Sequence, residues 1–123
     1  MKFFASVVEA DTNDRVANLL FADPETDPGM PAVLSLSRAV EFPDSTYYFE
    51  VNDQSNSSYG GLKSIQVSRD KIEVKLKQEL VEKFGNEEFA HIEAQFEVED
   101  KTFQGVVETL HKIFDGHDIL QVS

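Results

Sequence analysis

The sequence predicts an α+β domain: an antiparallel β-sheet of about six to seven strands, mostly a meander, with a short helix and a C-terminal amphipathic helix packed on one face. Three observations carry this. Apolar and β-branched segments separated by Asp, Asn, Pro or Gly fill the first half of the chain, a strictly alternating hairpin follows, and helical periodicity appears only late.

The strands are expected at about Lys2 to Glu9, Arg15 to Ala22, Ala32 to Ser37 and Thr46 to Val51. Short turns between consecutive strands imply antiparallel neighbours. The first two of them look apolar on both faces, the first with Phe3, Ala5 and Val7 on one side and Phe4 and Val8 on the other, so both are expected to be central or covered by a second layer. In the hairpin from Leu62–Ser68 to Ile72–Lys77, Ile65, Val67, Ile72, Val74 and Leu76 alternate with polar residues, and Arg69-Asp70 makes the turn. A short helix follows from Gln78 to Phe84, with Leu80, Val81 and Phe84 inward and Gly85 as its stop. Ile92, Ala94, Phe96 and Val98 then mark another alternating strand. The last helix begins with Asp100 as its expected cap and presents Phe103, Val106, Val107, Leu110, Ile113 and Phe114 as one stripe, ending at Gly116. Gly105 falls on the opposite side.

At 123 residues, one core suffices, and residues 1–123 are read as a single domain. A hydrophobic content of 41% with ten Phe is that of a folded chain. The absence of Cys excludes disulfides, thiolate catalysis and Cys-ligated metals. The opening run is interrupted by Ser6 and ended by Glu9, so it reads as a strand and not as a signal peptide, and no segment approaches the roughly 20 apolar residues of a membrane span. The expected compartment is the cytoplasm.

Charge is the most unusual bulk property: 23 acidic against 11 basic residues give a formal net charge of −12. Such a field repels nucleic acid and anionic membranes and attracts basic partners, besides keeping the protein soluble. No cofactor is expected. His91, His111 and His117 are scattered without metal-ligand spacing, and no nucleophile elbow, P-loop or dinucleotide fingerprint is present. Asp23, Glu25 and Asp27 alternate in a Pro-rich loop that lacks the Gly and closing Glu of a calcium loop, so a solvated acidic turn is the expectation.

The stretch from Tyr47 to Gly61 is the most polar in the chain. With Tyr47, Phe49 and Val51 inward, Tyr48, Glu50 and Asn52 line the other face, ahead of Asp53 and Gln54. Three readings are open. One is a long polar loop from Asn52 to Gly61, closed by side-chain-to-backbone bonds, with Gly60-Gly61 supplying positive φ. Another pairs Glu50 with Asp53 as acid and base, without an adjacent nucleophile to support catalysis. The third is a recognition rim in which Tyr48, Glu50, Asp53, Gln54 and Tyr59 face an Arg or Lys of a partner. Glu50 could instead be tied to Arg38 or Arg69 across the sheet.

The run Tyr48-Phe49-Glu50-Val51-Asn52-Asp53-Gln54, the Ser-rich stretch ending in Tyr59-Gly60-Gly61, and Ile65-Gln66-Val67-Ser68-Arg69-Asp70-Lys71-Ile72-Glu73-Val74 resemble the central motif of the immunity protein 10 family of bacterial polymorphic toxin systems. The resemblance implies a non-enzymatic protein that binds and neutralises a cognate protein toxin by occlusion. A basic contact surface on that toxin would match the net charge. The alternative is a self-associating or adaptor domain, for instance a homodimer, without a toxin partner.

Overall fold

The computed structural model describes residues 1–24 and 32–123. Glu25 and Asp27 of the acidic turn lie outside the described residues. The chain runs β1 (Lys2–Phe4), β2 (Val7–Thr12), β3 (Ala17–Asp23), β4 (Ala32–Arg38), β5 (Tyr48–Val51), β6 (Asp53–Tyr59), β7 (Leu62–Ser68), β8 (Lys71–Leu76), α1 (Gln78–Phe84), a 3-10 turn at Glu87–Ala90, β9 (His91–Gln95), α2 (Asp100–Ile113) and β10 (Leu120–Val122). The α+β class is the observed one. Instead of one sheet, however, the described strands form two of five strands each, in the orders β2-β3-β4-β5-β6 and β1-β9-β8-β7-β10.

The chain changes sheets between β6 and β7 and also within the segment read as a single first strand. That segment breaks at Ala5-Ser6, so that β1 pairs parallel with β9 while β2 pairs antiparallel with β3 in the other sheet. The segment feeds two sheets from their margins, so β1 and β2 are both edges and the first expected strand is not central, whereas the second, β3, lies inside its sheet between β2 and β4. The segment's two-sided apolar character arises because Phe3 and Ala5 are buried on the side of the β1–β9 sheet and Val8 packs on the same core from the β2–β6 sheet. Phe4 is left 47% exposed.

The β2–β6 sheet is the expected meander, antiparallel throughout. The hairpin is also as expected, with Ser68 opposite Lys71 across the two-residue turn Arg69-Asp70. Its inward residues Ile65, Val67, Ile72 and Val74 are fully buried, together with Leu19, Phe21, Leu34, Leu36, Phe49 and Val51 of the meander, in one hydrophobic cluster. The alternation of period two thus orients both sheets toward a shared interior. Phe21 stacks on Phe96 at 5.6 Å between ring centroids, and Phe96 lies 6.4 Å from Phe103 of α2.

Helix α2 packs along β2, β3 and β4 and buries Val106, Leu110 and Ile113. Thr109 is also buried and lies 3.3 Å from the Thr12 hydroxyl, a polar position that the apolar stripe did not reveal. The expected Asp100 cap is not formed. Glu99 occupies the capping position without a side-chain bond, because the Asp100 carboxylate is drawn to the Arg69 guanidinium at 2.8 Å. Arg69 also donates to the Val98 carbonyl at 2.7 Å and covers the Phe103 ring, which ties the hairpin turn to the start of α2. Helix α1 ends as its sequence predicts, with Gly85 left-handed at φ 67°.

Candidate functional site

The polar stretch after Val51 is a strand rather than a loop. Asn52 adopts a left-handed φ of 65° and turns the chain, after which β6 runs back beside β5 with Glu50 opposite Ser57 and Tyr48 opposite Tyr59. Asn52 also completes the margin of β4: its N–H donates to the Val33 carbonyl at 2.9 Å, and its side-chain oxygen accepts from the Val33 N–H at 3.1 Å. Sequence reasoning missed the strand because Ser and Asn carry no apolar alternation. The backbone of β5 requires a partner whatever side chains that partner bears. Gly60 and Gly61, at φ 78° and 89°, then turn the chain into β7.

Because Phe49 and Val51 are fully buried, Tyr48 and Glu50 project from the opposite, outer face of the meander. The Tyr48 hydroxyl donates to Glu50 Oε1 at 2.8 Å, and the Tyr48 and Tyr59 rings meet edge-on at 5.2 Å. A hydrogen bond with Ser57 pulls the Tyr48 phenol pKa down. Desolvation, together with the hydrogen bond to Glu50 and that carboxylate's charge, outweighs it, and the net direction is above the ordinary phenol value. Tyr59 is 74% exposed and forms the rim.

Asp53 stands apart from this group. Its Oδ1 accepts the Ser55 N–H at 2.8 Å and the Ser55 hydroxyl, and those bonds hold its pKa below the usual carboxylate value. Tyr48, Gln54 and Tyr59 line one groove of about 610 Å³ beside Ser37 and Arg38. Asp53 lines another, of about 570 Å³, with Asn52, Asn56 and Phe89. The structure therefore gathers Tyr48, Glu50 and Tyr59 on one face, sets Gln54 in the groove beside them, and places Asp53 at the turn.

Glu50 is not tied to an arginine. Arg69 is engaged with Asp100, and Arg38 points inward, where its guanidinium donates to the carbonyls of Asp115 at 2.5 Å, Ile113 at 3.4 Å and Pro43 at 3.3 Å. Arg38 is 8% exposed and clamps the C-terminal end of α2, a role invisible to the sequence because its acceptors lie 75 and 77 residues away.

The register extends the outer face across the whole meander. Glu9, Leu20, Ser35, Glu50 and Ser57 form one row, and Asp11, Asn18, Ser37, Tyr48 and Tyr59 form the next. Glu9, Asp11 and Leu20 were not singled out from the sequence, although the alternation of β2 and β3 carried the signal. On the other sheet, the outer acids are paired: Glu93 with Lys2 at 3.4 Å and with Lys71 at 3.9 Å, and Glu73 with Lys71 at 4.0 Å and with His91 at 3.6 Å. Burial raises the Glu93 pKa, but Lys2 and Lys71 outweigh it and leave the carboxyl below its ordinary value. Among the described residues, no group of three His, Cys, Asp or Glu could hold a metal ion, and no helix is long and apolar enough to cross a membrane.

Comparison with known proteins gave no match among curated proteins and none among solved structures. The sequence profile of immunity protein 10 matches residues 4–104, which is 101 of the 123 residues and includes every part of the β5–β6 rim and the β7–β8 hairpin. On that match, the chain belongs to the immunity protein 10 family.

Proposed function

We propose that this protein is an immunity protein that binds a cognate bacterial protein toxin in the cytoplasm and neutralises it by non-covalent occlusion, without catalysis of its own. Family membership is the observation that carries the reading. The contact includes Tyr48, Glu50, Gln54 and Tyr59, with Asp53 at its end. An aromatic pair braced by a carboxylate is a rigid surface feature of the kind from which interface hot spots are drawn. The net charge of −12 supports a toxin with a basic contact surface, since opposite fields speed encounter.

The test is co-expression with the protein encoded by the adjacent open reading frame. The expected result is that the neighbour alone arrests growth, co-expression restores it, and the two proteins copurify. A neighbour that is harmless, or that kills equally in the presence of this protein, would overturn the assignment. Within a working pair, Glu50→Lys and Tyr59→Ala are expected to weaken binding at least about tenfold while the protein stays folded. Unchanged affinity in both would remove the contact from this rim.

A further inference from the structure

We infer that the partner-binding surface is the entire outer face of the β2–β6 meander, from Glu9 and Asp11 on one edge to Glu50 and Tyr59 at the other, and that its occupant is a Lys/Arg-rich protein surface. This deepens the toxin-binding reading and rests on it.

Three independent features of the face support the assignment. The first is that, among the described residues, no element packs over it. The inner side of the sheet meets α2 and the shared core, whereas Leu20 and Val33 remain half-buried on the outer side, outside the core cluster, with no described element packed over them. Apolar residues at the centre with charge and Tyr toward the rim make up the usual anatomy of a non-obligate interface.

The second is the segregation of charge. Of the 11 basic residues, only Lys2, Arg15 and Arg38 precede Leu62. Lys2 belongs to the other sheet, Arg15 sits in the β2–β3 turn and Arg38 points inward, so no cation occupies an outer position on β2–β6. Among the described residues, Glu9, Asp11 and Glu50 have no ion-pair partner, while the outer carboxylates of the opposite sheet lie beside Lys2 and Lys71.

The third is reach. Glu9 and Glu50 occupy the same register row three strand spacings apart, so two carboxylates stand roughly 14 Å from each other across Leu20 and Ser35. A flat basic surface can engage both at once. A second copy of this chain cannot do so through the same face, because it would bring acid against acid.

The test uses the full chain and deca-arginine as probe. Amide shifts in the labelled protein are expected to centre on Glu9, Asp11, Leu20, Ser35 and Glu50 and to vanish at about 0.5 M salt, where screening is nearly complete. Shifts centred on α2 or on β7–β9, or spread evenly over all exposed acids, would overturn the inference. The double variant Glu9→Lys/Asp11→Lys is then compared with Glu79→Lys/Glu82→Lys on the exposed side of α1, which has the same net charge. Only the first should weaken peptide binding about tenfold; equal losses would show that bulk charge, not this face, is responsible. Sedimentation should give a monomer, and a dimer dissociated by the β2 variant would likewise refute the assignment. With the adjacent toxin, a wild-type protein that protects and a β2 variant that protects and binds equally well would sink this inference alone. A wild-type protein that fails to protect would instead sink the immunity reading.

Discussion

Arg38→Met tests how the fold closes. The guanidinium of Arg38 is buried beside the end of α2 and has no carboxylate partner among the described residues; its charge is stabilised by the carbonyls of Asp115, Ile113 and Pro43 and by the Ser45 hydroxyl at 3.4 Å. Ser45 is itself fixed by donating to the Ala39 carbonyl at 2.9 Å. Methionine retains the apolar stem but leaves the helix-end carbonyls without their donor. One short charge-assisted bond is worth about 1.5–3 kcal/mol, and a cation at a partly buried helix C-terminus adds up to about 2 kcal/mol. The three bonds at 3.3–3.4 Å are long and contribute less. Relief of the desolvated charge opposes these terms, so a net loss of about 3 kcal/mol is expected, or a fall in Tm of roughly 10 °C for a chain of this size. Arg38→Lys keeps the charge but cannot span three carbonyls at once, and about half that loss is expected. Urea and thermal unfolding followed by circular dichroism read both variants. If Arg38→Met melted within about 2 °C of wild type, the clamp would be unimportant and the account of how α2 is anchored would be wrong.

Gly105→Ala should stabilise the protein by about 1 kcal/mol, since a Cβ there meets nothing within 4 Å and alanine is the better helix former; an unchanged or lower urea midpoint would contradict this. Gly61→Ala should do the reverse, costing roughly 1–3 kcal/mol in the same assay, because its φ is 89° and the new Cβ would lie 2.9 Å from Leu80 Cδ2. Asp53 predicts a pH dependence. Its folded-state pKa is depressed by the Ser55 bonds, so its contribution is present above its ordinary value of 3.8 and is lost as pH falls through the lower folded value. The difference in urea midpoint between wild type and Asp53→Asn should therefore be constant at neutral pH and close in acid, and a gap that persisted at the acid end would refute the Ser55 interaction as its source.

Much of the fold was legible because alternation and helical periodicity are local signals. The β7–β8 hairpin, α1 with its Gly85 stop and the stripe on α2 all follow from side chains within a few residues of one another. The Glu50–Tyr48–Tyr59 grouping was partly legible for the same reason, since the inward pattern of Phe49 and Val51 dictates which neighbours face out. Where the polar side chains of the β6 stretch concealed a strand, the missing information was the backbone demand of β5, which lies outside any local pattern.

The sequence by itself determined the α+β class, the direction in which β5, β7, β8 and β9 face, the acidic field and the family to which the chain belongs. Only the tertiary structure decided that the opening segment splits between two sheets, that Arg38 turns inward to close α2, and that Glu9 and Asp11 share a face with Glu50 and Tyr48. The physical reason is the same in each case. Strand pairing and buried hydrogen bonds join residues tens of positions apart, and their partners are chosen by how the two sheets close on one core rather than by anything written beside them in the chain.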